Sequence, residues 1–140
     1  MGSLLAAASG AFAGIISKVR TGTGFKISAG EGRIHGHRKL KRVNANIIDV
    51  KISGSDTDID LGIVEQTGLS PKRGTPLPVH FSQDEIFYVL EGEHHFIVGS
   101  DKYQLKAGES IFLPRKIPHA LTQASGHART MVIFQPAGKM

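Results

Sequence analysis

In the stretch PLPVHFSQDEIFYVLEGE, Pro76 to Glu93, a histidine and a carboxylate, His80 and Glu85, stand just ahead of an apolar run. Neutral imidazole and carboxylate are ordinary donors for a divalent first-row metal. Pro78, which offers no donor atom, occupies the place where a second ligand would complete a His-x-His pair with His80. That spacing does occur at His35 and His37, inside the acid-free run RIHGHRKLKR, Arg33 to Arg42. With no aromatic residue interleaved for base stacking, this run reads as a solvated basic connector rather than a nucleic-acid surface. The chain contains no cysteine, which removes disulfides, thiolate ligands and a cysteine nucleophile from consideration.

A second stretch with chemical content is AGESIFLPRKIPHALTQ, Ala107 to Gln123. A glycine turn leads into a strand ending at Pro114, and a tight turn then delivers His119. Gln123 shares a strand face with His119, so its amide can orient a ligand or a bound water, or serve as an ordinary strand-end amide.

The elements that must position these groups are short strands. After Val43 the chain consists of β-rich runs broken by Gly, Pro, Asp and Ser, with no helical apolar period of convincing length. The pattern predicts strands over 46–53, 58–66, 85–90, 93–99, 102–106, 110–114, 119–123 and 128–135. Such regular spacing of short strands points to an all-β sandwich or closed barrel. A two-residue turn at Glu91-Gly92 predicts a hairpin in which Val89 faces His94, Phe87 faces Phe96 and Glu85 faces Val98. One face of that ribbon is then apolar except at Glu85, a carboxylate that must be paired, protonated or coordinated, because an unpaired buried charge is very costly. The same register puts His94 out of reach of Glu85, and His95 outward.

Length and charge set the domain organisation. At 140 residues and 40% hydrophobic content, one domain with a real core is expected. The formal charge of +5 is unevenly spread: residues 1–42 carry eight Lys/Arg and one acid, residues 43–140 nine Lys/Arg and eleven acids. Basicity therefore belongs to an N-terminal leader, 1–42, ahead of a domain over 43–140. The apolar run LLAAASGAFAGII, Leu4 to Ile16, is too short to span a bilayer. It resembles a signal-peptide core with Ala11-Phe12-Ala13 as a cleavage pattern, although no Lys or Arg precedes it. A truncated signal segment would imply a periplasmic or secreted protein, and a plain N-terminal segment a cytoplasmic one. The barrel is expected to fold without the leader.

Taken together, the two stretches resemble the motifs of the cupin family, G-x5-H-x-H-x(3,4)-E-x6-G and G-x5-P-x-G-x2-H-x3-N. His80, Glu85 and Gly92 match the first, and Gly108, Pro114 and His119 match the second. Pro78 replaces the first histidine, Lys72 the leading glycine with Gly74 close by, Lys116 the turn glycine, and Gln123 the asparagine. The resemblance, to small single-domain members with a quercetinase-like cupin type 2 domain, covers about Ile47 to Pro136. It implies a single jelly-roll barrel, a double-stranded β-helix, with a metal near its mouth. Of the family's three histidines and one glutamate, His80, Glu85 and His119 remain.

That remainder suits one divalent transition metal, iron, manganese, nickel, zinc or copper, with water in place of the missing ligand. His35, His37 and His127 are unconstrained by sequence as substitutes for it. The alternative is a metal-free barrel keeping the three groups as a hydrogen-bonded cluster. Three functions follow from the resemblance: a metal site that binds a small molecule in the barrel beside Phe87 and Gln123, a metal-dependent dioxygenase resembling quercetinases, or a metal-free structural or ligand-binding cupin. The expected partners are a small molecule and a second copy of the chain as a homodimer, with no nucleic acid and no stable membrane span. A Pro78→His substitution is expected to tighten metal binding if the family geometry is kept.

Overall fold

A computed structural model describes residues 22–33, 38–39, 46–68 and 79–138. Among these residues there are nine strands: β1 (Arg38–Lys39), β2 (Asn46–Ile52), β3 (Gly62–Gly68), β4 (Asp84–Glu91), β5 (Glu93–Val98), β6 (Asp101–Lys106), β7 (Ser110–Leu113), β8 (His119–Gln123) and β9 (Ala128–Gln135). All pairings are antiparallel, in a six-stranded sheet ordered β1-β2-β3-β9-β4-β7 and a three-stranded sheet ordered β6-β5-β8. The two sheets form the jelly-roll barrel. Among the described residues no helix is long and apolar enough to cross a membrane.

Alternation along the strands builds the interior. Phe87 and Val89 on β4, Phe96 on β5, Leu105 on β6, Leu113 on β7, Leu121 on β8, and Val64 and Val132 on β3 and β9 form one buried cluster. Phe87 and Phe96 meet edge-on across the two sheets, with ring centroids 5.3 Å apart. Each such side chain contributes roughly 1.5–3 kcal/mol by leaving water, so the cluster holds the sheets together without disulfides.

Two expectations are corrected. Glu91-Gly92 is not a hairpin turn. β4 already has a partner on each edge, β7 and β9, so no edge is left for β5. Instead the chain crosses between sheets at Gly92, and β5 pairs with β6 and β8. The proposed facing pairs therefore do not exist, although the alternation behind them holds: Glu85, Phe87, Val89, His94 and Phe96 are all buried. The strand placed over 58–66 begins at Gly62 and runs to Gly68. Asp58 and Ile59 have φ of 53° and 61°, and Thr57 Oγ1 donates to the Leu61 carbonyl at 2.6 Å, so this alternating segment is a turn.

The basic segment assigned to the leader is partly docked. The Arg33 N–H donates to the Val50 carbonyl at 2.8 Å, Lys51 Nζ donates to the Glu31 carbonyl at 2.7 Å, and Arg38–Lys39 pair with β2. Paired chain thus starts ahead of residue 43. Residues 1–21, 34–37 and 40–45 lie outside the described residues, and with them the apolar run 4–16, His35 and His37.

His94 is a buried imidazole whose Nδ1 has no hydrogen-bond partner among the described residues. Burial pushes its pKa below the ordinary imidazole value. A lowered folded-state pKa means that the unfolded chain takes the proton more readily, so stability present at neutral pH is lost as pH falls from the ordinary imidazole range toward the lowered value. His94→Leu is expected to flatten that acid-side loss. It should also raise stability by about 1–3 kcal/mol, the cost of one unsatisfied buried polar atom. Melting temperatures from pH 8 down to pH 5 check both effects.

Candidate metal centre

Glu85, His80 and His119 reach one point from three pieces of chain. Glu85 is the second residue of β4 and faces inward, opposite Leu113 of β7 and Phe134 of β9. His80 precedes β4, and His119 opens β8 in the other sheet. The loop between β7 and β8 supplies the geometry. The Lys116 N–H donates to the His80 carbonyl at 2.7 Å, and the Ile117 N–H donates to the Pro114 carbonyl. Lys116, standing where the motif has glycine, has φ of 68°. A left-handed non-glycine residue costs roughly 1–2 kcal/mol, against roughly 0.4–1 kcal/mol for the freedom glycine adds to the unfolded chain. Lys116→Gly is therefore expected to stabilise the protein by about 0.5–1 kcal/mol, read as a small rise in denaturation midpoint.

His80 Nε2 lies 2.9 Å from Glu85 Oε1, and His119 Nε2 lies 3.6 Å from Glu85 Oε2. The imidazoles stack, with centroids 5.5 Å apart and planes 18° from parallel. One ligand atom from each of the three residues falls within 4.8 Å of the others. Glu85 and His119 are 5% and 4% exposed. Burial pushes the Glu85 carboxyl above the usual carboxylate range, and the charges of His80 and His119 pull it part of the way back. At the far side of His119, Nδ1 lies 3.2 Å from the Ile117 carbonyl. A carbonyl only accepts, so Nδ1 carries a proton, and in the neutral ring that a metal would need the lone pair of Nε2 is on the side of Glu85. This is the arrangement seen in metal-ligating histidines. Two imidazole nitrogens and one carboxylate, converging on one point of an otherwise largely apolar pocket, fit a divalent cation.

The site opens on a cavity of about 270 Å³, walled by apolar side chains including Ile48, Val64, Phe87, Leu121, Val132 and Phe134. Besides the three candidate ligands, Gln66 is the polar residue on this wall. It faces inward between Ile48 and Thr130, and its side-chain amide makes no hydrogen bond with another described residue.

The other expected residues are placed as follows. Phe87 lines the cavity with the cluster. Gln123 is buried at the far end of β8, and its amide nitrogen donates to the carbonyls of Ser125 at 2.8 Å and Gly126 at 3.3 Å. Its amide nitrogen is thus turned to backbone carbonyls, and Gln123 is not among the residues that line this cavity. Gly92 and Gly108 have φ of 78° and 90°, and Pro114 directly follows β7. His95 and His127 are exposed, beside Glu93 and Glu91. Pro78, Lys72 and Gly74 lie outside the described residues.

Sequence inspection missed Gln66, Asp84 and Arg115. The Arg115 N–H and Nε donate to Asp84 Oδ1 at 2.7 and 3.0 Å, and Nη2 donates to Oδ2 at 2.5 Å. These bonds hold the Asp84 carboxyl down to about 2. The residues are 31 apart, and nothing in their spacing announces the pair. Gln66 offered only its inward parity on a strand.

A family model described as the Cupin domain matches residues 67–134. An uncharacterized protein of Methanocaldococcus jannaschii is 36% identical over 47 residues, 34% of this chain and 38% of that protein. One from Streptomyces coelicolor is 29% identical over 55 residues, 39% of this chain and 52% of that protein. This chain thus aligns with about half or less of the length of those relatives. The solved structure of KdgF from a Halomonas species is similar in fold, with a TM-score of 0.63, 17% identity, and coverage of 73% of this chain and 86% of that one. The barrel topology, the spaced motif residues and the matched family model agree that residues 67–134 form a cupin domain.

Proposed function

We propose that this cupin domain holds one divalent transition metal through His80 Nε2, the Glu85 carboxylate and His119 Nε2, and binds a small molecule in the adjoining cavity. The observation that carries this reading is the convergence of three donor atoms within 4.8 Å, with His119 oriented by the Ile117 carbonyl so that Nε2 faces Glu85. When bound, such an ion acts as a Lewis acid toward an oxygen donor of the ligand at the positions left open by three protein ligands. The chain's own groups do the rest. Glu85 and the two imidazoles anchor the ion, the apolar wall excludes water from the body of the ligand, and the Gln66 amide offers one donor and one acceptor to a hydroxyl or carbonyl group. A cavity of about 270 Å³ lies just below the usual range for drug-sized ligands, so the ligand is small.

The test is metal content. Protein loaded with iron(II), manganese or nickel and then desalted is expected to retain close to one ion per chain by elemental analysis, whereas His119→Ala and Glu85→Ala lose it. Equal retention by the variants would reject the site. In that event the 2.9 Å contact of His80 with Glu85 supports the metal-free reading, a buried imidazole–carboxylate cluster. A donor set of two histidines and one carboxylate also suits oxygen-activating chemistry. Oxygen uptake with a flavonol or diketone-like compound would favour a dioxygenase, and silence across such a panel the binding role. A homodimer is part of the same proposal, and sedimentation of the purified chain tests it.

A further inference from the structure

Two of the three candidate ligands, Glu85 and His119, stand in different sheets, His80 lies on the chain just ahead of β4, and no strand pairing joins β4 to β8. Their relative placement depends on the loop from Pro114 to Pro118, which leaves β7 opposite Glu85 and enters β8 at His119. One residue of that loop, Arg115, grips Asp84, the neighbour of Glu85. Its main-chain N–H and its guanidinium give three hydrogen bonds to the two carboxylate oxygens, and Nη2 also reaches the Gln135 carbonyl at 3.3 Å. The next residue, Lys116, donates its N–H to the His80 carbonyl, and the one after supplies the carbonyl that orients His119. Three consecutive loop residues thus touch the chain beside Glu85, the main chain of His80 and the ring of His119, one each.

We infer that the Asp84–Arg115 pair is a positioning clamp for the metal site, setting the distance between the ligands of the two sheets rather than supporting the fold. This rests on the metal-site reading above. The side chains of Arg115 and Asp84 are 41% and 21% exposed, and exposed ion pairs contribute little to stability. The geometry, by contrast, is bidentate and rigid, the kind of fork that lysine does not reproduce. Supporting groups one shell out from a metal commonly change its affinity by about 10–100-fold.

The experiment compares the full chain with Arg115→Ala, Arg115→Lys and Asp84→Asn. Cobalt(II) serves as the probe: its dissociation constant is measured by competition with a chelator, and its visible absorption bands report coordination geometry. Arg115→Ala is expected to weaken cobalt binding about tenfold or more and to shift the bands, with Arg115→Lys and Asp84→Asn between it and the parent. Metal-free melting temperatures should stay within a few degrees. Cobalt affinity within twofold of the parent and an unchanged spectrum in Arg115→Ala would overturn the clamp while leaving the metal site standing. So would a large fall in metal-free melting temperature, which would make the pair a fold support. If the parent itself takes up no cobalt, both the metal site and the clamp fall.

Discussion

At a metal concentration a hundred times the dissociation constant, the protein is expected to gain about 2.7 kcal/mol of stability, because an ion held at the proposed site would bind the folded chain and not the unfolded one. For a chain of this size that is a rise of about 10 °C in melting temperature. Glu85→Gln should abolish the rise, since an amide is a poor replacement for the anionic ligand. In the metal-free protein the same substitution acts in the opposite direction. Burial raises the Glu85 pKa, with His80 and His119 opposing, so the folded chain binds this proton more tightly than the unfolded chain does. The resulting stability is full below the ordinary carboxylate range and is lost as pH rises through the raised value. Metal-free Glu85→Gln should therefore melt above the metal-free parent at neutral pH, with the gap closing as the solution is acidified below the carboxylate range. A parent that melts at the same temperature with and without metal would contradict the proposed site.

Gly92→Ala is expected to be a strongly damaging single-methyl change outside the core. The chain turns from one sheet into the other at this residue, with φ of 78°. A β-carbon there would lie 2.4 Å from Ser125 Oγ, 2.5 Å from the His127 carbonyl oxygen and 2.9 Å from Ala128 Cβ. Ser125 cannot simply rotate away without loss, because its hydroxyl accepts from the Glu93 N–H at 3.0 Å and donates to the His127 carbonyl at 2.8 Å. The left-handed backbone adds roughly 1–2 kcal/mol and forced overpacking roughly 1–3 kcal/mol, so a loss of about 2–5 kcal/mol is expected in urea or thermal unfolding. Gly108→Ala is the control: its φ is 90° but nothing lies within 4 Å of the added carbon, so it should lose only the backbone part. Equal losses in the two variants would mean that the packing around Gly92 gives way freely.

Much of the molecule was legible in the chain alone, for a physical reason. Strand parity and turn chemistry are local, so seven of the eight expected strands sit within a residue of where the alternation put them. Parity also turned Glu85, Phe87, Val89, His94 and Phe96 inward before any partner was known. His80, Glu85 and His119 were named through the resemblance to the cupin motifs, in which they stand at fixed spacings from Gly92, Gly108 and Pro114. Segment 58–66 failed because alternation cannot register two successive residues with positive φ, a choice made by the turn's own hydrogen bonds.

What only the tertiary structure decided is who stands beside whom. A glycine in a two-residue break suits a hairpin as well as a crossing between sheets, and the competition for the edges of β4, taken by β7 and β9, settled the matter. Gln123 shares a strand with His119, yet its amide is used by the backbone carbonyls after β8. Asp84 and Arg115 had no sequence signal as a pair, and Gln66 none as the polar member of an apolar wall. Such contacts depend on how two sheets close on each other, and the energy that sets the closure is summed over the whole core rather than written in any short stretch.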